Sequence, residues 1–365
     1  MWHEFPADEV RSDLRDIAGH GFDVVRVLLS WDAFLESYRQ PAPYRLRDFE
    51  SMLRIAHELG IQVVPVIGPQ SLGDCVMLPR YAIDSAGRRA GVRVLCDGRL
   101  EKGGPRDVYT DPLMIEVLQM WVEALMVAFA NHPAIAAWDV CHDPGRAMRP
   151  RRIADLHSTV ARMTARIRSA GDPVWATLGE RDVTSARGVR LGGVAEQVDR
   201  LLIDLEPSGW HWAPEQDRAS ASGFVLALAA RLSSVAHLGA GVGMASDGEG
   251  AAHDAHAVLE AIAGAGGDVM LSTGWRQLGP RTDGEAPYDR GPTARRFGLV
   301  DVQSDPMPAA RPWFDLARAD RAAEPMRPWP AQIDEADYYV NLPDALAELY
   351  AQWRGGSSGP PANVG

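Results

Sequence analysis

Short apolar runs rich in β-branched residues alternate along the chain with longer amphipathic stretches. The runs have the length and composition of buried strands, and they cover residues 23–29, 62–67, 135–140, 174–178, 201–205, 241–245 and 268–272. Helical spacing of apolar positions is found in residues 7–19, 47–59, 112–130, 153–169, 223–236 and 251–263. This alternation is typical of βαβ units and predicts a parallel sheet covered by helices.

Seven predicted strands are one fewer than a closed eight-stranded barrel needs. The chain opens inside the first predicted helix, residues 7–19, with no strand before it. An open edge in a barrel is costly because its backbone donors and acceptors have no partner. We therefore expect a barrel whose first strand is missing from this chain or is replaced by a segment from elsewhere. Residues 355–365 (GGSSGPPANVG) are poor in apolar side chains and are expected to be a disordered tail, which leaves one domain over residues 1–354.

Composition narrows the classes of ligand and compartment. The 365 residues are 46% hydrophobic and 24% charged, as in a globular barrel with a large core. The net charge of −12 argues against nucleic acid and anionic membranes as partners, while a neutral ligand such as a sugar is compatible. Cys75, Cys96 and Cys141 include no C-x-x-C motif, which favours a reduced compartment, although Cys75 and Cys96 could pair. We find neither a secretory signal nor a window that approaches a membrane span, and we expect a cytoplasmic protein.

Four sequence blocks carry a family resemblance. They are GFDVVRVLLSWDAF (residues 21–34), YTDPLM (109–114), NHPAIAAWDVCHDP (131–144) and PYDRGPTARRFGLVD (287–301). In this order they resemble the clan A retaining glycoside hydrolases, closest to the family 5 cellulase and mannanase group, from Trp2 to about Trp353. The resemblance implies an α/β fold of the (β/α)8 TIM-barrel type with its chemistry at the carboxyl ends of the strands. It also implies hydrolysis of an O-glycosyl bond in a carbohydrate or small polar substrate, without a cofactor.

The residues at the family's general acid position are altered. In that family the fourth strand ends in Asn-Glu-Pro, and the Glu is the general acid/base. Here His142 and Asp143 stand in place of the Asn and the Glu. An aspartate carboxyl lies roughly 1.5 Å, one C–C bond, closer to the backbone than a glutamate carboxyl. A displacement of about 1 Å can cost on the order of a hundredfold in rate.

The family's nucleophile position departs further. The seventh strand normally supplies a Glu, and the two carboxyls then lie about 5–5.5 Å apart. In this chain Ser246 takes that position, with Asp247 and Glu249 close behind it. A serine hydroxyl alone does not replace the carboxylate of a double displacement. The resemblance therefore implies a remodelled pair, with Asp143 as proton donor, Asp247 or Glu249 opposite it, and Arg26 matching the arginine that braces the nucleophile.

Other strand ends differ from the family in the residues expected to hold the substrate. The sixth strand normally presents a His and a Tyr-Pro, but here it presents Asp204 and Glu206-Pro207. Trp210 and Trp212 follow, and they could stack on sugar faces or seal the barrel mouth. The platform Trp of the eighth strand falls near Leu271, with Trp275 four residues later. We expect substrate to contact the residues Trp31, Asp204, Glu206, Trp210, Trp212 and Trp275.

Three other interpretations stay open. The protein could be a pseudo-glycosidase that binds a glycan or a partner without turnover, or a barrel repurposed for acid/base chemistry on a small metabolite. A metal site built from His142 or His211 with nearby carboxylates has no supporting ligand spacing, so we expect no metal. Charged residues crowd the predicted mouth, as in working sites; they are Arg26, Asp32, His142, Asp143, Glu180, Arg181, Asp204, Glu206, Asp247 and Arg276.

His142 itself has two interpretations. Its imidazole could serve as a general acid or base, or it could be a neutral ring bonded to a backbone carbonyl. Adjacent strand residues point to opposite faces, so His142 and Asp143 share one pocket only if the chain leaves regular strand geometry there.

Overall fold

A computed structural model describes residues 2–87, 91–146, 148–279, 282, 284–290, 296–319 and 332–356. Its central feature is a parallel sheet of seven strands in which each strand pairs with the next along the chain. The strands are β1 (Val24–Leu28), β2 (Gln62–Val66), β3 (Trp138–His142), β4 (Val174–Gly179), β5 (Arg200–Leu205), β6 (Leu238–Val242) and β7 (Val269–Ser272). The predicted α/β barrel of βα repeats is confirmed.

Helices alternate with the strands and cover the outside of the sheet. They are α1 (Ala7–Gly19), α2 (Trp31–Phe34), α3 (Pro43–Glu58), α4 (Pro112–Phe129), α5 (Ile153–Ser169), α6 (Glu180–Thr184), α7 (Leu191–Ala195), α8 (Arg218–Ser233), α9 (Ala251–Gly264), α10 (Ala310–Arg318), α11 (Glu335–Val340) and α12 (Asp344–Gly356). Short 3-10 turns cover Arg80–Ala82, Pro207–Gly209 and Glu215–Asp217. The apolar faces of these helices and of the sheet form one main core.

Loops on the barrel carry small additional sheets that the apolar pattern did not predict. Cys75–Met77, Arg93–Cys96 and Arg99–Glu101 form one, and Ile83–Asp84 pairs with Gly104–Pro105. Gly274–Arg276 pairs with Gly298–Val300. These strands have two to four residues, too few for a two-residue periodicity to stand out.

The barrel has an open seam between β1 and β7. Among the described residues β1 pairs only with β2, and β7 pairs only with β6. All five residues of β1 are partly exposed, whereas all five of β6 are buried. Within the described residues no strand lies between β1 and β7, in agreement with the expected barrel without its first strand.

Helix α4 contradicts the expectation that no window of the chain approaches a membrane span. It has 18 residues with a mean hydropathy of 1.5, so one helix in the described part of the chain is long and apolar enough to span a bilayer. Asp111 caps its first turn by accepting from the Leu113 and Met114 amides. Eight of its residues are buried, and its Trp121 lies in the main core with no exposed surface. The hydropathy of α4 therefore reflects packing against the sheet.

Two further expectations concern the cysteines and the tail. Cys75, Cys96 and Cys141 are all buried free thiols, so the possible Cys75–Cys96 pair is not formed. Helix α12 ends at Gly356 and so includes the first two residues of the stretch predicted to be disordered, while residues 357–365 lie outside the described residues.

Candidate active site

An ion pair inside the barrel joins β1 to β5. Arg26 donates from Nη2 to Asp204 Oδ1 at 2.9 Å and from Nη1 to Thr177 Oγ1 at 2.8 Å. The Thr177 hydroxyl donates in turn to Asp139 Oδ2 at 2.5 Å. Gly241 on β6 leaves room for this pair, since a Cβ there would lie 1.9 Å from Asp204 Oδ1. Arg26 thus anchors a group of hydrogen-bonded side chains that connects four strands, β1, β3, β4 and β5.

His142 closes the other side of Asp204. Its Nε2 lies 3.0 Å from Asp204 Oδ2, and its Nδ1 lies 3.0 Å from the Ser71 carbonyl oxygen. Both partners are acceptors, so both ring nitrogens donate and the ring is an imidazolium. Burial acts against that charge, but the hydrogen bond and the charge of Asp204 raise the pKa of His142 above its ordinary value. Burial likewise opposes the charge on Asp204, yet Arg26 and His142 hold the pKa of that carboxyl far below its usual range.

The chain leaves regular strand geometry where β3 ends. The β3–β4 register shifts between Asp139 and His142, and Asp143 has a φ of 46°. Asp143 is held there because its amide donates to the Thr177 carbonyl at 3.0 Å and its own carbonyl accepts from Ser71 Oγ at 2.9 Å. His142 and Asp143 consequently line the same cavity. The departure from strand geometry that a shared pocket requires is therefore present.

Three acids lie close together beside this turn. The Asp143 carboxyl packs over Gly179, where a Cβ would lie 2.6 Å from Asp143 Oδ1. Asp182 accepts from the amides of Gly179 and Val189 at 3.3 and 3.2 Å. Burial raises the pKa of Asp143, and the charges of Asp204 and Glu206 add to that effect; burial and the charge of Asp143 raise the pKa of Asp182. Burial, then the charges of Asp143 and Glu206, raise the pKa of Glu180 to about 8.

Arg146 faces two of the acids at the mouth. Its Nη1 lies 3.8 Å from Asp143 Oδ2 and 3.7 Å from Glu206 Oε1. A cavity of about 400 Å³ opens here, and its polar wall consists of Arg26, Ser71, His142, Asp143, Arg146, Glu180, Asp204 and Glu206. Its apolar wall follows the open seam and includes Val10, Leu14, Ile17, Phe22, Met52, Met270 and Leu299. The size falls in the range of small-molecule sites.

The residues predicted on the family's seventh strand lie apart from this polar wall. β6 ends at Val242, and Ser246 is buried four residues later, where its Oγ donates to the Arg296 carbonyl oxygen at 2.7 Å. Asp247 is bound by the Arg296 guanidinium, and Glu249 is exposed. The cavity lining includes none of these three side chains, so the structure does not bring them together with Asp143.

The predicted tryptophans divide between core and cavity. Trp31 is 1% exposed and donates to the Ile67 carbonyl at 3.0 Å, so it presents no open face to a ligand. Trp210 stacks on Trp212 with ring centroids 5.2 Å apart, and Trp212 packs against α8 and α12. Trp275 lines the cavity and also packs against Phe314.

Arg146 of the polar wall and Asp182 beside it were not among the predicted site residues, whereas Glu180 was expected at the mouth. Glu180 and Asp182 begin α6 directly after β4, and Arg146 follows the turn after β3. The signal that could have found them is position alone, because carboxyl ends of parallel strands meet at one end of a barrel. No group of three or more His, Cys, Asp or Glu side chains suited to a metal is present in the described part of the chain.

Comparison with solved structures identifies the architecture. A GH5_18 protein from Streptomyces cattleya in complex with Manβ1-4GlcNAc matches with a TM-score of 0.77 and 17% identity, over 98% of this chain and 88% of that one. The fold is that of the family 5 glycoside hydrolases. The exo-β-1,4-mannosidase Op5Man5 from Opitutaceae bacterium strain TAV5 matches with a TM-score of 0.73 and 21% identity over 87% of this chain. The match covers 56% of that mannosidase, just over half of its length.

A third solved structure shares this fold. The endo-β-1,4-mannanase from Thermotoga petrophila has a TM-score of 0.57 and 16% identity over 86% of this family 5-like chain and 75% of its own. No protein-family model and no curated protein sequence matches the chain.

Proposed function

We propose that the protein is a glycoside hydrolase that cleaves an O-glycosyl bond of a short, neutral carbohydrate. The observation that carries this proposal is the position of Asp143, a protonatable carboxyl on the wall of a cavity at the carboxyl ends of the strands. The family 5 fold places its general acid at the same strand end. Protonation of the leaving oxygen by a carboxylic acid is the step that glycosidases share.

Asp143 has the properties of a proton donor near neutral pH. Burial raises the pKa of its carboxyl, and the nearby positive charges of Arg146 and His142 only partly offset that effect. A carboxyl that keeps its proton at the working pH can give it to a leaving group. The ion pairs of Asp204 with Arg26 and His142 lie beside this acid and are fixed in position. They favour one orientation of the turn that carries Asp143.

The substrate class follows from the similar structures and from the cavity. Their names include a mannosidase, a mannanase and a complex with Manβ1-4GlcNAc, which supports a short β-linked mannoside as the ligand. The acids on the polar wall can accept hydrogen bonds from sugar hydroxyls. Trp275 borders the same space and offers an aromatic surface for a sugar ring.

Incubation of the purified protein with Manβ1-4GlcNAc, mannobiose and cellobiose, followed by chromatography of the products, tests this function. We expect release of monosaccharide by the wild type and a loss of about 10²–10⁴-fold in kcat for Asp143→Asn. Asp315→Asn is the matched control, because that carboxyl is 69% exposed on the outer helix α10. Turnover that survives Asp143→Asn unchanged would contradict the role of Asp143.

A second candidate function rests on Ser246. At the position of the family's nucleophile this chain has a buried hydroxyl that is bonded to the Arg296 carbonyl and to Gln277 Nε2. A pseudo-glycosidase that binds a glycan without cleaving it would retain the cavity and lack such a nucleophile. Calorimetry separates the two functions, since binding of the disaccharides without any product favours the pseudo-glycosidase. Neither binding nor product would favour a barrel repurposed for another small metabolite.

A further inference from the structure

The loop that follows β2 is bonded to the turn that carries Asp143. Ser71 Oγ donates to the Asp143 carbonyl oxygen at 2.9 Å, and the Ser71 carbonyl oxygen accepts from His142 Nδ1 at 3.0 Å. The His142 amide donates to the Pro69 carbonyl oxygen at 2.9 Å. This loop is therefore fixed relative to the acid. Three of its residues line the cavity, and they are Ser71, Leu72 and Gly73.

Four charged side chains join the same loop to a segment on the other side of the seam. Arg93 binds both oxygens of Asp74, from Nη2 at 2.6 Å and from Nε at 2.9 Å. Its Nη1 donates to Asp289 Oδ2 at 2.7 Å, and Arg290 Nη1 lies 3.3 Å from Asp74 Oδ2. These four residues, two cations and two anions, form one network, the ion strap.

The ion strap connects two sides of the barrel mouth. Its first two members belong to the loop after β2, and its last two belong to the segment after β7. β1 and the open seam lie between β2 and β7. The backbones also come close, since a Cβ at Gly73 would lie 3.9 Å from the Pro287 carbonyl oxygen. Gly73 on one side and Trp275 on the other line the cavity, so the strap bounds one side of its mouth.

The contacts of Arg93 are suited to holding the strap closed. Its side chain is 11% exposed and donates to two carboxylates. A bidentate arginine within a network binds more strongly than an isolated surface pair. Burial opposes the charge on Asp74, yet hydrogen bonds from Arg93 hold the pKa of that carboxyl below its ordinary value. Hydrogen bonding to Arg93 also lowers the pKa of Asp289, so both carboxylates stay charged at neutral pH.

We propose that the ion strap determines which part of a carbohydrate enters the site, because it closes one side of the cavity mouth and so admits the end of a chain and excludes its interior. The inference rests on the function proposed above and adds a limit on the substrate. An internal stretch of a long chain needs an exit on both sides of the cavity, and the strap blocks the side over β1. A chain end or a disaccharide needs only one open side.

The ion strap also makes this selection sensitive to salt. Attraction between charges that are partly exposed to solvent weakens as the ionic strength rises. A neutral sugar has no charge of its own, so any salt dependence in its binding reports on the protein. High salt should therefore loosen the strap and admit the interior of a chain.

Calorimetry of the full chain with two neutral probes tests the strap without requiring turnover. The probes are mannobiose and a mannohexaose that is blocked at both ends, by a benzylidene group at one and by reduction at the other. In about 0.05 M NaCl we expect the wild type to bind mannobiose at least about tenfold more tightly than the blocked hexaose. In about 1 M NaCl that preference should fall below about threefold.

Asp289→Asn removes one charge of the strap and keeps the size of the side chain. We expect this variant to show a preference below about threefold at both salt concentrations. The matched control is Glu123→Gln, since that glutamate is 55% exposed on α4, where it pairs with Arg166 of α5. The control should keep the preference and the salt dependence of the wild type. Thermal unfolding of each variant establishes that the fold is intact.

The outcomes separate this proposal from the one on which it rests. If the wild type binds neither probe, both fail. If it binds both probes equally well, or if its preference survives both Asp289→Asn and high salt, the strap does not select and only this proposal fails. A preference that disappears in Asp289→Asn, in a wild type that binds mannobiose but releases no mannose from it, would support the strap and contradict the hydrolase.

Discussion

The imidazole Nε2 of His142 lies 3.0 Å from Asp204 Oδ2, and this contact ties the end of β3 to the end of β5. Because His142 also donates to the Ser71 carbonyl, the ring is fixed at both nitrogens. Asp204 is bound on its other side by Arg26 of β1. A single carboxylate therefore holds three strand ends together under the cavity.

Asp204→Asn should destabilise the protein by about 3 kcal/mol, because it leaves two buried cations without a counter-charge. Urea unfolding measures the loss, and NMR titration should show a lower pKa for His142 in the variant. The control is Asp247→Asn, which removes a half-exposed pair with Arg296 and should cost about 0–1 kcal/mol. Equal costs for the two variants would show that Asp204 does not have this role.

The pH dependence of stability follows from the buried acids in and beside the cavity. Asp143, Asp182 and Glu180 have raised pKa values in the native state, that of Glu180 at about 8, and titrate near about 4 in the unfolded chain. Between about pH 4 and 8 the native state therefore binds more protons than the unfolded chain. The free energy of unfolding consequently falls as the pH rises through this range. His142, whose pKa is also raised, adds stability below about pH 6.5 that is lost at higher pH.

Asp204 acts in the opposite direction at the acidic end. Its pKa is lowered, so its contribution is present above about pH 4 and is lost as pH falls. We expect maximal stability near pH 5, measured by urea unfolding between pH 3 and 8. Glu180→Gln should flatten the decline toward pH 8, and an unchanged slope in that variant would refute the assignment.

The apolar pattern predicted the sheet because buried parallel strands are short, β-branched and separated by helices. Helices α1 and α5 have the predicted bounds, while β6 begins at Leu238, three residues before the predicted run. β3 runs from Trp138 to His142, later than the predicted run, and its pairing with β4 shifts register between Asp139 and His142. The positive φ of Asp143 depends on contacts with Thr177 and Ser71, which are distant in sequence and leave no local signal.

The candidate site was predicted in part for a related reason. Strand ends at one end of a barrel share a cavity, so His142, Asp143, Asp204 and Glu206 could be grouped from sequence alone. Which of them pair could not be predicted, since the Arg26–Asp204 contact joins residues 178 positions apart. The assignment of Arg26 and Ser246 came from the family's positions, and in this chain Arg26 binds Asp204 and Ser246 lies outside the cavity.

Gly241→Ala should disrupt the Arg26–Asp204 pair from β6. The added Cβ would lie 1.9 Å from Asp204 Oδ1 and 3.2 Å from Arg26 Nη2, so the pair must move in a packed interior. We expect a loss of roughly 1–3 kcal/mol in the free energy of unfolding and a fall in turnover. Gly19→Ala is the matched control, because nothing lies within 4 Å of a Cβ at that helix end. A Gly241→Ala protein as stable as Gly19→Ala would contradict the close packing around Asp204.

The open seam should be visible in hydrogen exchange. A strand in a parallel sheet directs its amides alternately to both neighbours, so a strand with one partner leaves about half of them unpaired. β1 and β7 each have one partner among the described residues, whereas β4 lies between β3 and β5. Mass spectrometry of exchanged peptides should therefore show amides of Val24–Leu28 and Val269–Ser272 exchanging at least about tenfold faster than those of Val174–Gly179. Equal protection of all three strands would mean that a further segment covers the seam in solution. In that case, adding a strand before α1 should not slow the exchange of the β1 and β7 amides any further.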